Sequence, residues 1–234
     1  IHPTKYFGVM PMFVASSDFG LEQGPVVAFS IYVPDFIGAF LPEDSPARYM
    51  VTEAYFIAGV VSLSAGYRLP KPFDRVSLGG SLGALYVRQE GKKWLNATGT
   101  STDYDFIIHV VGEDWRPYWN LGVTVDVLPQ LTLGASFIGG AHVEMKGRLD
   151  ITLPPPDDRI DPFAASGGLA GHYRLKKMTI EVPPGLSAGV HWTIIPQLEL
   201  AFDFRYWFYR VYKEQRIETD LLEVKPGLAD LVSP

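Results

Sequence analysis

Apolar and polar side chains alternate strictly in the segment that follows Pro196. From 198 to 208 every even position is apolar or aromatic, whereas the odd positions include Glu199, Asp203 and Arg205. Successive side chains of a β-strand point to opposite faces, so this alternation predicts a strand with one apolar and one polar face. The same pattern recurs at 76–86, 121–127, 131–145 and 186–194.

The repeated pattern predicts an all-β chain of about eight long strands. We place them at 4–16, 24–33, 53–69, 75–90, 104–127, 130–148, 173–194 and 197–215. Several exceed the roughly 9–11 residues that cross a bilayer, whereas strands of soluble domains average about five or six residues.

The predicted connections alternate between short turns and long polar segments. The short ones are 69–75, 128–130 and 195–197, and the long ones are 34–52, 91–103 and 149–172. This asymmetry is typical of outer-membrane barrels, which have short periplasmic turns and long external loops. The sequence therefore predicts an antiparallel transmembrane β-barrel with its short turns at one rim and its long loops at the other.

A soluble β-sandwich or a lipocalin-like barrel is the alternative fold, and in it the apolar stripe would face inward. Gly, Ser, Asn and acidic residues collect on the other face, which favours a polar lumen and an apolar wall. We therefore expect one set of side chains to face lipid, namely Val123, Val125, Leu133, Phe137, Leu200, Phe202 and Phe204. We expect a second set to face the lumen, namely Asp126, Glu144, Glu199, Asp203 and Arg205.

Composition excludes several classes of function. The net charge of −6 argues against a nucleic-acid partner, and the absence of cysteine excludes disulfides and thiolate metal sites. The longest nearly uncharged apolar run, 55–67, is too short for a spanning helix. The sequence starts at Ile1 and shows no signal peptide, which indicates a mature or truncated chain, and the strand pattern predicts a single barrel domain, 1–234.

Four stretches of the chain resemble the FadL-type transporters of long-chain fatty acids and hydrocarbons in Gram-negative outer membranes. They are Arg48-Tyr49 with the strand that ends at 64–68, the strand start at 75–82, the segment 114–147 with its Trp119-Asn120-Leu121-Gly122-Val123 motif, and the segment 182–207 with its Val182-Pro183-Pro184-Gly185-Leu186 motif.

The resemblance implies a barrel of about fourteen strands with an N-terminal hatch, of which this chain would be the middle part. No hatch is recognisable here, so the family's hatch residues that contact the ligand have no counterpart. The resemblance also implies passive uptake of hydrophobic small molecules in the bacterial outer membrane, without a cofactor, among partners that include membrane lipid and lipopolysaccharide. Members of this family release the ligand sideways through a kink in the wall.

Four residues on the predicted lumen face are candidates for the ligand path: Ile138, His142, Trp207 and Tyr209. They would place an apolar patch among the charges, as in the linings of small-molecule sites. Pro183 and Pro184 interrupt a long strand, and proline removes a donor from the ladder. They mark either a kink in the wall or the start of a strand after an external loop.

Two further functions remain open at this point. Gly79-Gly80-Ser81-Leu82-Gly83 matches the Gly-x-Ser-x-Gly elbow of hydrolases, which would make the barrel a lipid esterase. That elbow requires a helix after the serine, whereas the pattern here continues as a strand, so we expect no enzyme. The five histidines form no metal-binding spacing. A structural or adhesion barrel whose loops bind an external partner is the other alternative.

Overall fold

The computed structural model describes residues 10–21, 24–96, 99, 101–153, 161, 164 and 168–225. Within this part, eleven β-strands form one antiparallel sheet. The strands are β1 Met12–Ser17, β2 Val26–Phe40, β3 Glu53–Arg68, β4 Val76–Asn96, β5 Asp105–Leu128, β6 Leu131–Ile138, β7 Ala141–Thr152, β8 Gly171–Val182, β9 Gly185–Ile195, β10 Leu198–Trp207 and β11 Ile217–Thr219. A short helix, α1, spans Leu221–Val224, and no helix of the described residues is long and apolar enough to cross a membrane.

The strands pair as a curved wall. Strands β1 to β6 pair in order and are followed by β9 and β10, while β7 pairs with β5 and β8, and β8 pairs with β11. Strands β6 and β7 therefore follow one another along the same line of the wall, as do β9 and β8, and β10 and β11. The eleven strands thus cross the wall eight times. The predicted fold class is confirmed, and the sheet does not close on itself within the described residues.

Three predicted strands are broken where the sequence analysis drew them as continuous. The strand at 130–148 is interrupted at Gly139-Gly140, the one at 173–194 at Pro183-Pro184, and the one at 197–215 ends at Trp207. The first two breaks lie against each other, because a Cβ at Gly140 would lie 2.8 Å from Pro184 Cδ. Pro183 and Pro184 cannot donate to the ladder, so the strand pairing of the hairpin is interrupted at this point.

Two predicted loops are shorter than expected. Strand β2 continues to Phe40 and pairs with β3 down to Glu53, and β4 continues to Asn96 and pairs with Asp105. Pairing with a neighbouring strand satisfies backbone groups that a polar sequence alone assigns to a loop. Of the predicted first strand at 4–16, residues 4–9 lie outside the described part.

The predicted separation of turns and loops between two rims is confirmed. At the turn rim, Arg75 C=O accepts from Asp126 N–H, and Gln130 C=O accepts from Thr193 N–H. At the loop rim, Lys92 C=O accepts from Thr52 N–H, and Asn96 lies opposite Asp105. The ends of the loop at 149–172 reach the same rim, since Thr152 pairs with Ile107; residues 154–160 lie outside the described part.

The two faces of the sheet differ in the predicted sense near the turn rim. The concave face, here called the lumen face, holds a trough of about 580 Å³ that spans the sheet from β2 to β10. Its lining includes Ser64, Ser81, Asn120, Gly134, Ser136, Ser187 and Asp203. On the convex face Leu82, Leu121 and Phe202 are more than half exposed. The small and polar residues therefore line the lumen, and the apolar residues face outward.

The apolar outer band has the height of a bilayer core. It runs along β4 from Val76 to Tyr86, where the ring of Tyr86 lies 4.9 Å from that of Trp115. Ten residues at about 3.3 Å each, tilted by roughly 40°, give a band about 25 Å tall, which is the usual value for such barrels. Beyond it the outward positions of β4 are Arg88, Glu90 and Lys92, so the wall continues above the band with a polar exterior.

Candidate ligand path

The interior is apolar in the half of the wall that lies toward the loop rim. Val87, Val143, Met145 and Met178 are almost completely buried and pack together on the lumen face. Gly112 makes room for them, because a Cβ there would lie 2.8 Å from Met178 Cε. The upper interior is therefore a packed apolar core, in contrast to the polar trough near the turn rim.

The break at Gly139-Gly140 exchanges the two faces of its strand. Asn120 of β5 pairs with Ile138 of β6, but Glu113 pairs with Lys146 of β7, which is a shift of one residue. A shift of one residue moves every side chain of a strand to the opposite face. Even positions therefore face the lumen in β6, and odd positions face it in β7.

The prediction that His142 and Glu144 face the lumen is consequently wrong. Their neighbours Val143 and Met145 occupy the interior, so both polar side chains lie on the outer face. There His142 Nδ1 lies 2.5 Å from Glu181 Oε1, and His142 Nε2 lies 3.1 Å from Glu144 Oε1. The extra residue at the strand break is the physical reason, because it shifts the parity on which the prediction relied.

An apolar cavity of about 330 Å³ lies beside this core. Three of the four predicted path residues, Ile138, Trp207 and Tyr209, line it together with Pro183. Its remaining lining includes Tyr32, Phe56, Ala58, Val60, Leu85, Tyr118 and Val182, with Asp35 and Glu181 as its charged members. The structure thus brings together residues from seven strands and from the segment after β10 around one mainly hydrophobic space.

A short polar chain borders the cavity. Tyr32 Oη and Tyr118 Oη lie 3.0 Å apart, and Asn120 Nδ2 donates to Tyr118 Oη over 3.0 Å. Trp207 is held against the wall, because a Cβ at Gly185 would lie 2.7 Å from its indole ring. The cavity therefore combines apolar walls with a few oriented polar groups, as small-molecule sites do.

The wall has an unpaired section next to the cavity. Gly139 N–H donates to Trp119 C=O over 3.1 Å, and the ladder between β5 and β7 resumes only at Glu113 and Lys146. Between these points, β5 has no ladder pairs with β6 or β7 in the described part of the chain. Asp114 Oδ2 instead accepts from Glu144 N–H over 2.9 Å. We call this section, 114–118 opposite 140–145, the wall gap.

Pro117 explains why β5 does not pair across the wall gap, and the sequence analysis missed it. Residues two apart on a strand direct their backbone groups to the same neighbour, so position 117, like Trp119, faces β6 and β7. Proline has no N–H to donate there. A proline inside an otherwise regular strand was the available signal.

A second cavity, of about 310 Å³, lies nearer the loop rim. Its apolar lining includes Met50, Val51, Val110 and Ile217, and it shares Ile37 and Phe56 with the first cavity. Its charged lining residues are Glu53, Glu90, Lys92 and Lys93. Gln215 Nε2 donates to Gln89 Oε1 over 2.9 Å at its border. The two cavities therefore form consecutive compartments in the interior.

The loop that bears Met50 is anchored to the rim by a buried ion pair. Arg48 Nη2 lies 2.8 Å from Asp105 Oδ2, and the Asp105 side chain is fully buried. Tyr49 Oη and Asn96 Nδ2 also donate to this carboxylate. Arg48 stacks on the Trp94 ring at 4.7 Å, so the loop is fixed beside the outer cavity.

The surroundings of Ser81 do not match a hydrolase site. Ser81 lies within the continuous strand β4 rather than at a turn into a helix, and its Oγ lies 2.7 Å from Ser64 Oγ. The described residues include no group of three or more His, Cys, Asp or Glu side chains placed to hold a metal ion.

Comparison with solved structures identifies the fold. A FadL homologue from Pseudomonas aeruginosa has a TM-score of 0.73 at 12% identity, covering 89% of this chain and 50% of that one. The toluene transporter TodX from Pseudomonas putida has a TM-score of 0.64 at 12% identity, covering 91% and 58%. The monoaromatic hydrocarbon channel CymD has a TM-score of 0.61 at 15% identity, covering 86% and 54%.

No family model and no curated protein matches the sequence. The chain spans about half the length of the solved structures that it matches. With its lipid-facing band, its polar trough and its two rims, the chain has the fold of the FadL-type outer-membrane channels.

Proposed function

We propose that the chain is part of a passive channel of the Gram-negative outer membrane that imports hydrophobic small molecules and catalyses no reaction. The observation that carries this proposal is the apolar cavity of about 330 Å³, which lies directly beside the wall gap. Its volume lies within the roughly 300–1,000 Å³ of small-molecule sites. Long-chain fatty acids and aromatic hydrocarbons are the ligands that fit this lining.

The two cavities and the wall gap define the route of the ligand. A hydrophobic molecule would leave water in the outer cavity, pass Phe56 and Ile37, and enter the cavity around Trp207. Each 100 Å² of apolar surface removed from water contributes about 2.5 kcal/mol. Release through the wall gap, which lies at the upper edge of the apolar band, would deliver the ligand sideways into the bilayer, so no energy source is required.

The position of Pro183 and Pro184 supports this route. Both lie opposite Gly139-Gly140, and Pro183 lines the cavity. The kink that they impose separates β6 from β7 beside Pro117. We therefore assign the two prolines to the wall kink rather than to the start of a strand after an external loop.

Uptake of a long-chain fatty acid into liposomes by the full-length protein tests the proposal. Trp207→Ala should lower the rate about tenfold, because loss of the indole contact weakens apolar binding by roughly 1.4 kcal/mol. Tyr206→Ala is the matched control, since Tyr206 is the adjacent aromatic residue and lies on the outer face. Uptake that responds equally to both substitutions would contradict a path along Trp207.

A further inference from the structure

The polar chain of Tyr32, Tyr118 and Asn120 connects the apolar cavity to the polar trough. Tyr32 and Tyr118 line the cavity but not the trough, whereas Asn120 lines the trough but not the cavity. Tyr118 is buried, and Tyr32 is half-buried. The two phenolic groups therefore form a polar end in a space whose other walls are mainly hydrophobic.

The hydrogen bonds of this chain leave one hydroxyl proton unused. Each tyrosine hydroxyl carries one proton, and the single bond between the two phenolic oxygens uses only one of the two. Tyr118 Oη accepts its second bond from Asn120 Nδ2, which uses no phenolic proton. Whichever tyrosine donates to the other, one O–H donor at the cavity wall has no partner among the described residues. A buried donor without a partner costs free energy, which a ligand with an acceptor oxygen would recover.

A bulge in β2 turns a carboxylate toward the same interior. Tyr32 pairs with Val60 and Asp35 pairs with Ala58, so β2 holds one extra residue between these two pairs. Val60 and Ala58 are buried on the lumen face, and direct cross-strand partners share a face. The bulge therefore brings Tyr32 and Asp35, three residues apart, to the same side of the strand.

The charges around the cavity favour an uncharged ligand. Among the described residues that line it, Asp35 and Glu181 are charged, and none is Lys, Arg or His. The Glu181 carboxylate is turned to the outer face, where it contacts His142 Nδ1. A bound carboxylate would lose its hydration and would meet the like charge of Asp35 without a compensating cation. A fatty acid therefore enters this cavity most readily in its protonated form.

We propose that the cavity preferentially binds uncharged molecules that carry a hydroxyl group on an apolar body, such as phenols and alcohols. The ligand oxygen accepts the unused proton of the tyrosine pair, and the apolar body lies against Trp207 and Phe56. This subsite rests on the proposed function, because the same cavity is the ligand path. It narrows the cargo from hydrophobic molecules in general to those with a neutral polar head.

Calorimetric titration of p-cresol and toluene into the full-length protein in detergent micelles tests this subsite. The two ligands differ by one phenolic hydroxyl, which is uncharged at neutral pH because phenols titrate near pH 10. With partition into protein-free micelles subtracted, p-cresol should bind about tenfold more tightly than toluene, which corresponds to roughly one hydrogen bond. The carboxylate analogue p-toluate should bind about tenfold more weakly than p-cresol.

Tyr32→Phe with Tyr118→Phe should abolish the preference for the hydroxyl group, since no phenolic proton remains for the ligand. Affinity for p-cresol should fall about tenfold, and affinity for toluene should stay within about twofold of the parent value. Tyr67→Phe with Tyr86→Phe is the matched control, because it removes two phenolic hydroxyls from the outer face. This control should leave both affinities unchanged.

The outcomes separate this subsite from the proposed function. Equal affinity of the parent for p-cresol and toluene would overturn the subsite alone, and that measurement requires no variant to fold. Parent-like binding of p-cresol by the variant without the two tyrosine hydroxyls would also overturn it, as would binding of p-toluate as tight as that of p-cresol. A parent protein that binds neither p-cresol nor toluene would overturn the subsite together with the proposed function.

Discussion

Replacing Phe204 by arginine is expected to destabilise the protein folded in a bilayer by about 2–4 kcal/mol. Phe204 lies on the convex face of β10 and is 52% exposed. It pairs with Ala188, which pairs with Ala135, in the middle of the apolar band. Hydrocarbon cannot solvate a guanidinium group at this depth, so the charge must distort the bilayer or the strand.

The measurement is reversible folding of the full-length protein into liposomes across a denaturant series. Ser136→Arg is the matched control, because Ser136 adjoins Ala135 but lies in the polar trough on the lumen face. We expect the control to fold within about 1 kcal/mol of the parent, since water reaches the trough. Equal losses for the two variants would contradict the assignment of the faces.

Closing the wall gap is expected to lower fatty-acid uptake at least tenfold. The register of β5 and β7, continued across the gap, places Pro117 opposite His142 on the outer face, and the chain contains no cysteine. Pro117→Cys with His142→Cys therefore allows a short bifunctional thiol reagent to join β5 to β7. A ligand that leaves sideways would then be retained in the cavity, and a monofunctional reagent would not retain it.

Leu82→Cys with Trp119→Cys is the control pair. These residues are direct partners in the intact ladder between β4 and β5, on the same outer face. Joining them should leave the rate unchanged, because no passage exists there. If the gap cross-link preserves full uptake, the ligand leaves by another route.

The sequence predicts the wall well where its two sides differ in solvent. Along 76–86 and 121–127, lipid lies on one side and the polar trough on the other. The polarity of each side chain therefore indicates the face of the sheet on which it lies. The aromatic alternation at 198–208 similarly placed Trp207 on the lumen side, where it lines the apolar cavity. Tyr209 reaches the same cavity from beyond the end of β10, where strand parity no longer applies.

The alternation pattern predicts the wrong faces where the apolar side chains change from the outer face of the sheet to the lumen face. Below Gly139 the odd positions 131–137 are apolar because they face lipid, and above Gly140 Val143 and Met145 are apolar because they fill the interior. Both environments select the same residues, so the pattern runs on unbroken although the faces are exchanged. The glycine pair and the opposing prolines are the only local signs of the change, which is why His142 was misplaced.

Uptake itself tests the central claim most directly. The full-length protein is reconstituted into liposomes that enclose a fatty-acid-binding reporter, and the influx of a long-chain fatty acid is compared with that of barrel-free liposomes. Passive uptake through the cavity predicts influx that rises with the amount of protein, saturates with ligand and needs no energy source. Influx that is indistinguishable from that of barrel-free liposomes would contradict the proposal.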